Sequence, residues 1–102
     1  MAVVTVATMT IKPGRMEDYV EVARKTKAVY EKYGGKNVRL LSAVVAGEAT
    51  GTLVFLSESD SLAAGAELLE KFVADPEAPR TRYTSAGPIA SLQMAFWVDV
   101  PL

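Results

Sequence analysis

The chain has 102 residues, half of them apolar and 23% charged, with eleven basic residues against twelve acidic ones and a formal net charge of −1. One folded domain spanning residues 1–102 around a single modest core is expected, without the basic field that nucleic acid or a lipid headgroup layer would require. Histidine and cysteine are both absent, which removes disulfides, thiol nucleophiles, imidazole or thiolate metal sites and haem ligation, so no metal or cofactor is expected.

The chain begins Met1-Ala2-Val3-Val4-Thr5 with no basic n-region, and Thr5, Thr8 and Thr10 interrupt its apolar run. Ala2–Ile11 therefore reads as a strand rather than a signal peptide. No run of roughly eighteen apolar residues follows, so no transmembrane helix is expected and a cytoplasmic location is. Lys12-Pro13-Gly14 stops the strand, since proline cannot donate to a ladder and glycine accepts the backbone angles of a turn.

Arg15–Tyr33 has helical spacing, with Met16, Tyr19, Val20, Ala23, Thr26, Lys27 and Tyr30 three or four apart on one stripe. Glu17, Asp18 and Glu21 sit early and Arg24, Lys25, Lys27 and Lys32 late, a polarity that complements the helix dipole. Gly34-Gly35 ends the helix. Asn37–Ala46 and Thr50–Glu58 are two further apolar runs separated by Gly47-Glu48-Ala49, a loop short enough to force an antiparallel hairpin.

Ser59-Asp60-Ser61 supplies capping side chains for a second helix reaching about Ala74, with a stripe of Leu62, Ala66, Leu69 and Val73 widened by Leu68 and Phe72. Asp75-Pro76-Glu77 looks like a fresh start, predicting a short extra helix over Pro76–Thr84. Ser91–Val100 is the last strand. Leu92, Met94, Phe96, Val98 and Val100 point one way and read as a helix-covered core face, while Ser91, Gln93, Ala95, Trp97 and Asp99 point the other.

This order predicts an α+β fold, the ferredoxin-like split β-α-β-β-α-β arrangement: a four-stranded antiparallel sheet with both main helices on one face. Neither face of any strand is plainly polar. The uncovered face would therefore expose several hundred Å² of apolar surface, a size that marks an interaction site. A two-fold homodimer through the open sheet face is expected.

The element order, the strand–Lys12-Pro13-Gly14–helix opening with Met16-Glu17-Asp18-Tyr19, and the Ala74-Asp75-Pro76-Glu77 segment resemble the dimeric α/β-barrel superfamily. Among its members the chain is most similar to small NIPSNAP-like and uncharacterised single-domain proteins. The resemblance implies a dimer whose two sheets form a barrel-like sandwich, with a small cleft between each sheet and its helices or neighbouring loops. Haem-degrading and chlorite-dismutase-like branches rely on a histidine ligand that is missing here. The Asn/Trp/Arg set of monooxygenase branches has no rigorous counterpart in Asn37, Trp97 and Arg39, so no catalytic residue carries over.

Four residues are candidates for ligand binding: Arg39, Tyr83, Gln93 and Trp97. An indole beside an amide could hold a planar molecule, but tryptophan is also a good interface anchor, and the interface reading is favoured for Trp97. Arg39 could clamp a carboxylate or bridge to Asp99 or Glu58, the latter being the usual fate of such residues. Arg80, Arg82 and Tyr83 lie between the second helix and the last strand, where small domains place binding groups, or form a solvated cap. Tyr19 and Tyr30 read as core residues with hydroxyls reaching water.

Glu17/Asp18 and Glu67/Glu70 read as helix-surface charges rather than an acid–base pair, and phosphate loops and nucleophile elbows are missing. The expected function is binding of a small, partly aromatic molecule. The alternative is a cofactor-independent monooxygenase or isomerase acting on an aromatic or polyketide-like substrate, and a third reading is pure self-association.

Overall fold

The computed structural model describes residues 2–44, 51–79 and 87–102. Its elements are β1 (Val3–Ile11), α1 (Met16–Lys32), β2 (Lys36–Ser42), β3 (Leu53–Ser59), α2 (Leu62–Ala74) and β4 (Ile89–Val98). All pairings are antiparallel, and the strand order is β2-β3-β1-β4. The ferredoxin-like arrangement expected from the element order is the one observed.

The alternation of β1 sorts the two faces. Val3, Thr5, Ala7 and Met9 are buried beneath the helices, opposite Ser59, Ser57, Phe55 and Leu53 of β3. Both β2 and β3 read as expected within a few residues of their ends, and Ala43 exchanges backbone hydrogen bonds with Gly51 and Thr52 to extend the hairpin. The Gly47-Glu48-Ala49 loop lies outside the described residues.

The end of α1 shows why two glycines follow it. Gly34 adopts φ +91°, its N–H donates to the Glu31 carbonyl, and the Gly35 N–H donates to the Tyr30 carbonyl. This is the paired Schellman closure, which favours glycine at the left-handed position. Gly35 has a different reason. A Cβ there would lie 2.8 Å from the Ser57 hydroxyl and 2.9 Å from the Tyr30 carbonyl. Gly35→Ala should therefore cost about 1–3 kcal/mol by overpacking, measured by denaturant unfolding; an unchanged midpoint would refute that account.

The buried stripe of α1 keeps the predicted phase and loses only its margins, whereas that of α2 is turned from the predicted one. On α1 the buried residues are Tyr19, Ala23, Thr26, Val29 and Tyr30, while Met16 at the helix start is 45% exposed and Lys27 lies in solvent. On α2 they are Gly65, Leu68 and Phe72, while Leu62 and Val73 are exposed. At Gly65 a Cβ would meet the Phe96 ring at 3.2 Å, so the bare backbone permits the close approach on that side of the helix, with Leu62 and Val73 turned outward. Ser61 caps the helix as expected, accepting from the Ala64 N–H at 3.0 Å.

Beyond α2 the extra helix is not found in its described part: residues 76–79 form turns, and the remainder of Pro76–Thr84 lies outside the described residues. Asp75 nevertheless makes the local contact of a capping side chain, its Oδ1 accepting from the Glu77 N–H at 2.7 Å in a turn rather than at a helix start. Its other oxygen, Oδ2, accepts from Lys32 Nζ at 2.9 Å and from the Tyr33 hydroxyl at 2.5 Å. The carboxylate is buried and ties the C-terminal ends of both helices together.

The final strand needs one further correction. Its register places Leu92, Met94, Phe96 and Val98 on the helix side, opposite Met9, Ala7, Thr5 and Val3. Only Leu92 joins the core; Met94 and Phe96 are about 40% exposed, Val98 is half exposed, and Val100 lies beyond the strand in solvent. Because β4 is an edge strand and α2 is centred on β1 and β3, the helices cover this row only in part, Gly65 lying against the Phe96 ring and α1 facing Leu92 and Met94.

Candidate functional site

Two places in the fold collect chemistry-bearing side chains, one on each face of the sheet. On the open face the register sets Val4, Val6 and Thr8 of β1 between Glu58, Leu56 and Val54 of β3 and Trp97, Ala95 and Gln93 of β4. Arg39 and Leu41 of β2 lie opposite Leu56 and Val54. The centre is thus an apolar field crossing all four strands. Trp97 stands 63% exposed at one side of it and Leu41 46% exposed at the other. Val4, Val6, Leu41, Val54, Leu56 and Trp97, with Asp99 at the margin, line a shallow concavity of about 440 Å³.

Polar groups sit at the ends of this field. The Thr10 and Ser91 hydroxyls share a hydrogen bond at 2.6 Å at one end. At the other, Glu58 accepts from Asn37 Nδ2 at 2.6 Å and lies 3.7 Å from the Arg39 guanidinium. Asn37 has φ +50°, a left-handed conformation that asparagine tolerates, and it occupies the irregularity between Lys36 and Arg39. Of the two acids expected as partners for Arg39, Glu58 is the one found.

Arg39, Gln93 and Trp97 share this face without forming a cluster. Arg39 and Trp97 lie on opposite edge strands, three strand spacings or roughly 14 Å apart. Gln93 and Trp97 are four residues apart along β4, about 13 Å of extended chain. Tyr83, like Arg80 and Arg82, lies outside the described residues. A ligand stacked on the indole is therefore out of reach of the guanidinium, unless it is long enough to cross the sheet.

The second place is on the helix side, where side chains of α1 face residues of β1 and β4. Met9, Tyr19, Thr26, Tyr30, Leu92 and Met94 wall a small, partly open cavity of about 20 Å³, room for one water. Tyr30 is held edge-on against Phe55 and Phe72, with ring centres 5.4 and 5.1 Å away. The Thr26 hydroxyl donates to the Val22 carbonyl at 2.8 Å and keeps its lone pairs for accepting. The sequence signal was Tyr19, Thr26 and Tyr30 on one helical stripe, three hydroxyls in an otherwise apolar row. Reading them as core was correct for burial, since Tyr19 and Tyr30 are 3% and 2% exposed, but the cavity between them depends on how α1 meets the sheet.

Among the described residues no group of three or more acidic side chains is placed to hold a metal ion, and no helix is long and apolar enough to cross a membrane.

No family model matches the sequence, and no curated protein matches it either. Solved structures do match over nearly the whole chain. A NIPSNAP family protein from Agrobacterium tumefaciens superposes with a TM-score of 0.76 at 17% identity, covering 98% of this chain and 94% of its own. An uncharacterised NIPSNAP domain protein from Burkholderia xenovorans gives 0.71 at 17% identity, covering 96% and 94%. A candidate antibiotic biosynthesis monooxygenase from Nitrosomonas europaea gives 0.71 at 15% identity, covering 97% and 90%. The chain has the fold of these proteins, as its resemblance to NIPSNAP-like proteins implied.

Proposed function

We propose that the protein works as a symmetric homodimer, joined through its open sheet faces, in which each protomer binds a small, partly aromatic molecule between α1 and the sheet. The observation that carries the dimer is the unbroken apolar field from Leu41 to Trp97, with the most exposed aromatic side chain among the described residues at its margin. Four strands about 4.8 Å apart and some seven residues long offer a pairing that buries on the order of 1,000 Å² in total, the lower bound for a specific interface. Trp97 is the anchor of that interface, with Gln93 beside its rim.

The ligand reading rests on the helix-side cavity. Its aromatic walls suit a flat ring, and its hydroxyls can orient a carbonyl or phenol. Met94, an unbranched and adaptable side chain about 40% exposed, is the natural door. The cavity as it stands holds only a water, so binding requires Met94 to swing and the walls to part.

The experiment has two arms. A sedimentation mass near two chains at micromolar concentration is expected, and a mass near 10.9 kDa would remove the dimer. Thermal stabilisation by hydroxylated naphthalenes is expected for the wild type and should vanish in Met94→Trp, which fills the door. If Trp97→Ala abolished that stabilisation while the dimer persisted, the ligand would belong on the open face instead. Any stabilising compound should then be tested for oxygen uptake, because turnover would move the protein from binder to cofactor-independent oxygenase.

A further inference from the structure

We infer that the groove between α1 and β2 is a second, separate binding site, one that takes the alkyl chain of a medium-length carboxylate. It has a volume of about 200 Å³ and a floor of Val20, Ala23, Leu40 and Phe55, on the helix side of the sheet, with Phe55 as the wall it shares with the water-sized cavity. Its rim carries Arg24 and Lys27 from α1, and Arg39, 3.7 Å from Glu58, borders it from β2. Arg24 and Lys27 are three apart on α1, so both charges stand on the same side of the opening. An apolar trough closed at its lip by two cations is complementary to an anionic amphiphile, with the chain below and the carboxylate above.

The rim cations already have partners, which sets the energetics of exchange. Arg24 pairs with Glu21 at 2.7 Å and Lys27 with Glu31 at 3.3 Å. Both pairs are half or more exposed, and such pairs contribute little to stability, so an incoming carboxylate can share or replace them at small cost. Neither glutamate lines the groove.

The occupant is a small amphiphile rather than a peptide strand. As an edge strand β2 could in principle accept another strand. Its start is irregular, however, with Asn37 at φ +50° and a register shift between Lys36 and Arg39. An irregularity and a lysine at an edge are the usual devices against strand addition. The groove volume of about 200 Å³ also fits an alkyl chain better than a segment with side chains.

The test is an NMR titration of the full chain with octanoate, decanoate and octanol below their aggregation limits. Shifts should concentrate at Val20, Ala23 and Leu40. Decanoate should bind on the order of tenfold tighter than octanoate, from two more buried methylenes. Octanoate should bind several-fold tighter than octanol. The double substitution Arg24→Glu with Lys27→Glu, at exposed positions, should weaken decanoate at least tenfold and leave octanol unchanged. Absence of binding, equal affinity for octanol and octanoate, or insensitivity to the charge reversal would each overturn the proposal. So would shifts centred on Val54 and Trp97, or on Tyr19 and Met94.

Discussion

Asp75→Asn is expected to lower the melting temperature by on the order of 10 °C and to remove a distinct part of the acid-side loss of stability. The reason is geometric. Asp75 Oδ2 accepts from both Lys32 and Tyr33, and Oδ1 accepts from the Glu77 N–H. Asparagine has one oxygen, so its amide N–H₂ must face a donor at one of these two positions, and the charge facing Lys32 is gone. The hydrogen bond from Tyr33, then that from Lys32 and that from the Glu77 backbone, hold the Asp75 carboxyl down at about 2. In the unfolded chain it returns to an ordinary value near 3.8. Between those values the unfolded state binds the extra proton. Stability is therefore fully present above about 3.8 and falls as the pH drops through about 2.

The same contact acts at the alkaline end with the opposite sign. The hydrogen bonds to Asp75 raise both the Tyr33 phenol and the Lys32 ammonium above their ordinary values. Their contribution is present below the unfolded values of 10.0 and 10.5 and fades as the pH rises through the raised folded ones. Denaturation measured across the pH range should thus show Asp75→Asn with shallower slopes at both ends. A variant that kept the wild-type slope below 3.8 would show that the carboxylate is not what acid attacks.

That carboxylate also marks the limit of what the sequence disclosed. Asp75 was legible as a cap because capping is local, read from Pro76 and Glu77 beside it. Its contacts with Lys32 and Tyr33 span 43 and 42 residues, and nothing in the local pattern announces them. The Pro13-Gly14 stop, the charge polarity of α1 and the Gly34-Gly35 closure were legible for the same local reason. The phase of α2 was not, because the side of the helix that meets the sheet includes Gly65, which lies against Phe96, a residue 31 positions further on. Strand alternation sorted β4 correctly into two faces. Which strands lie at the edges is a property of topology, and this is why Met94, Phe96 and Val98 were expected under helix and stand half open. The sites divide likewise: the apolar open face could be read from alternation, whereas the water-sized cavity and the α1–β2 groove exist only once α1 is laid on the sheet.

Leu56→Lys is expected to convert the proposed dimer into a folded monomer, weakening association on the order of a hundredfold or more. Leu56 lies near the centre of the open face, between Val6 and Arg39 in the register. It is only partly buried in the single chain. A lysine there can run its alkyl stem along Val6 and Val54 and keep its ammonium in water, so the protomer should keep its circular dichroism and lose little stability. In a two-fold interface the substitution occurs twice, and both ammonium groups would be desolvated against an apolar partner face. Sedimentation should then give a mass near 10.9 kDa at concentrations where the wild type is dimeric. Leu62→Lys is the control: it adds the same charge at an exposed position on α2, remote from the open face, and should leave the mass unchanged. If Leu56→Lys stayed dimeric, subunit contact would have to run through another surface. The half-open row of Met94, Phe96 and Val98 would then be the next apolar surface to test by the same kind of substitution, since β4 presents it on the face the proposed dimer leaves uncovered.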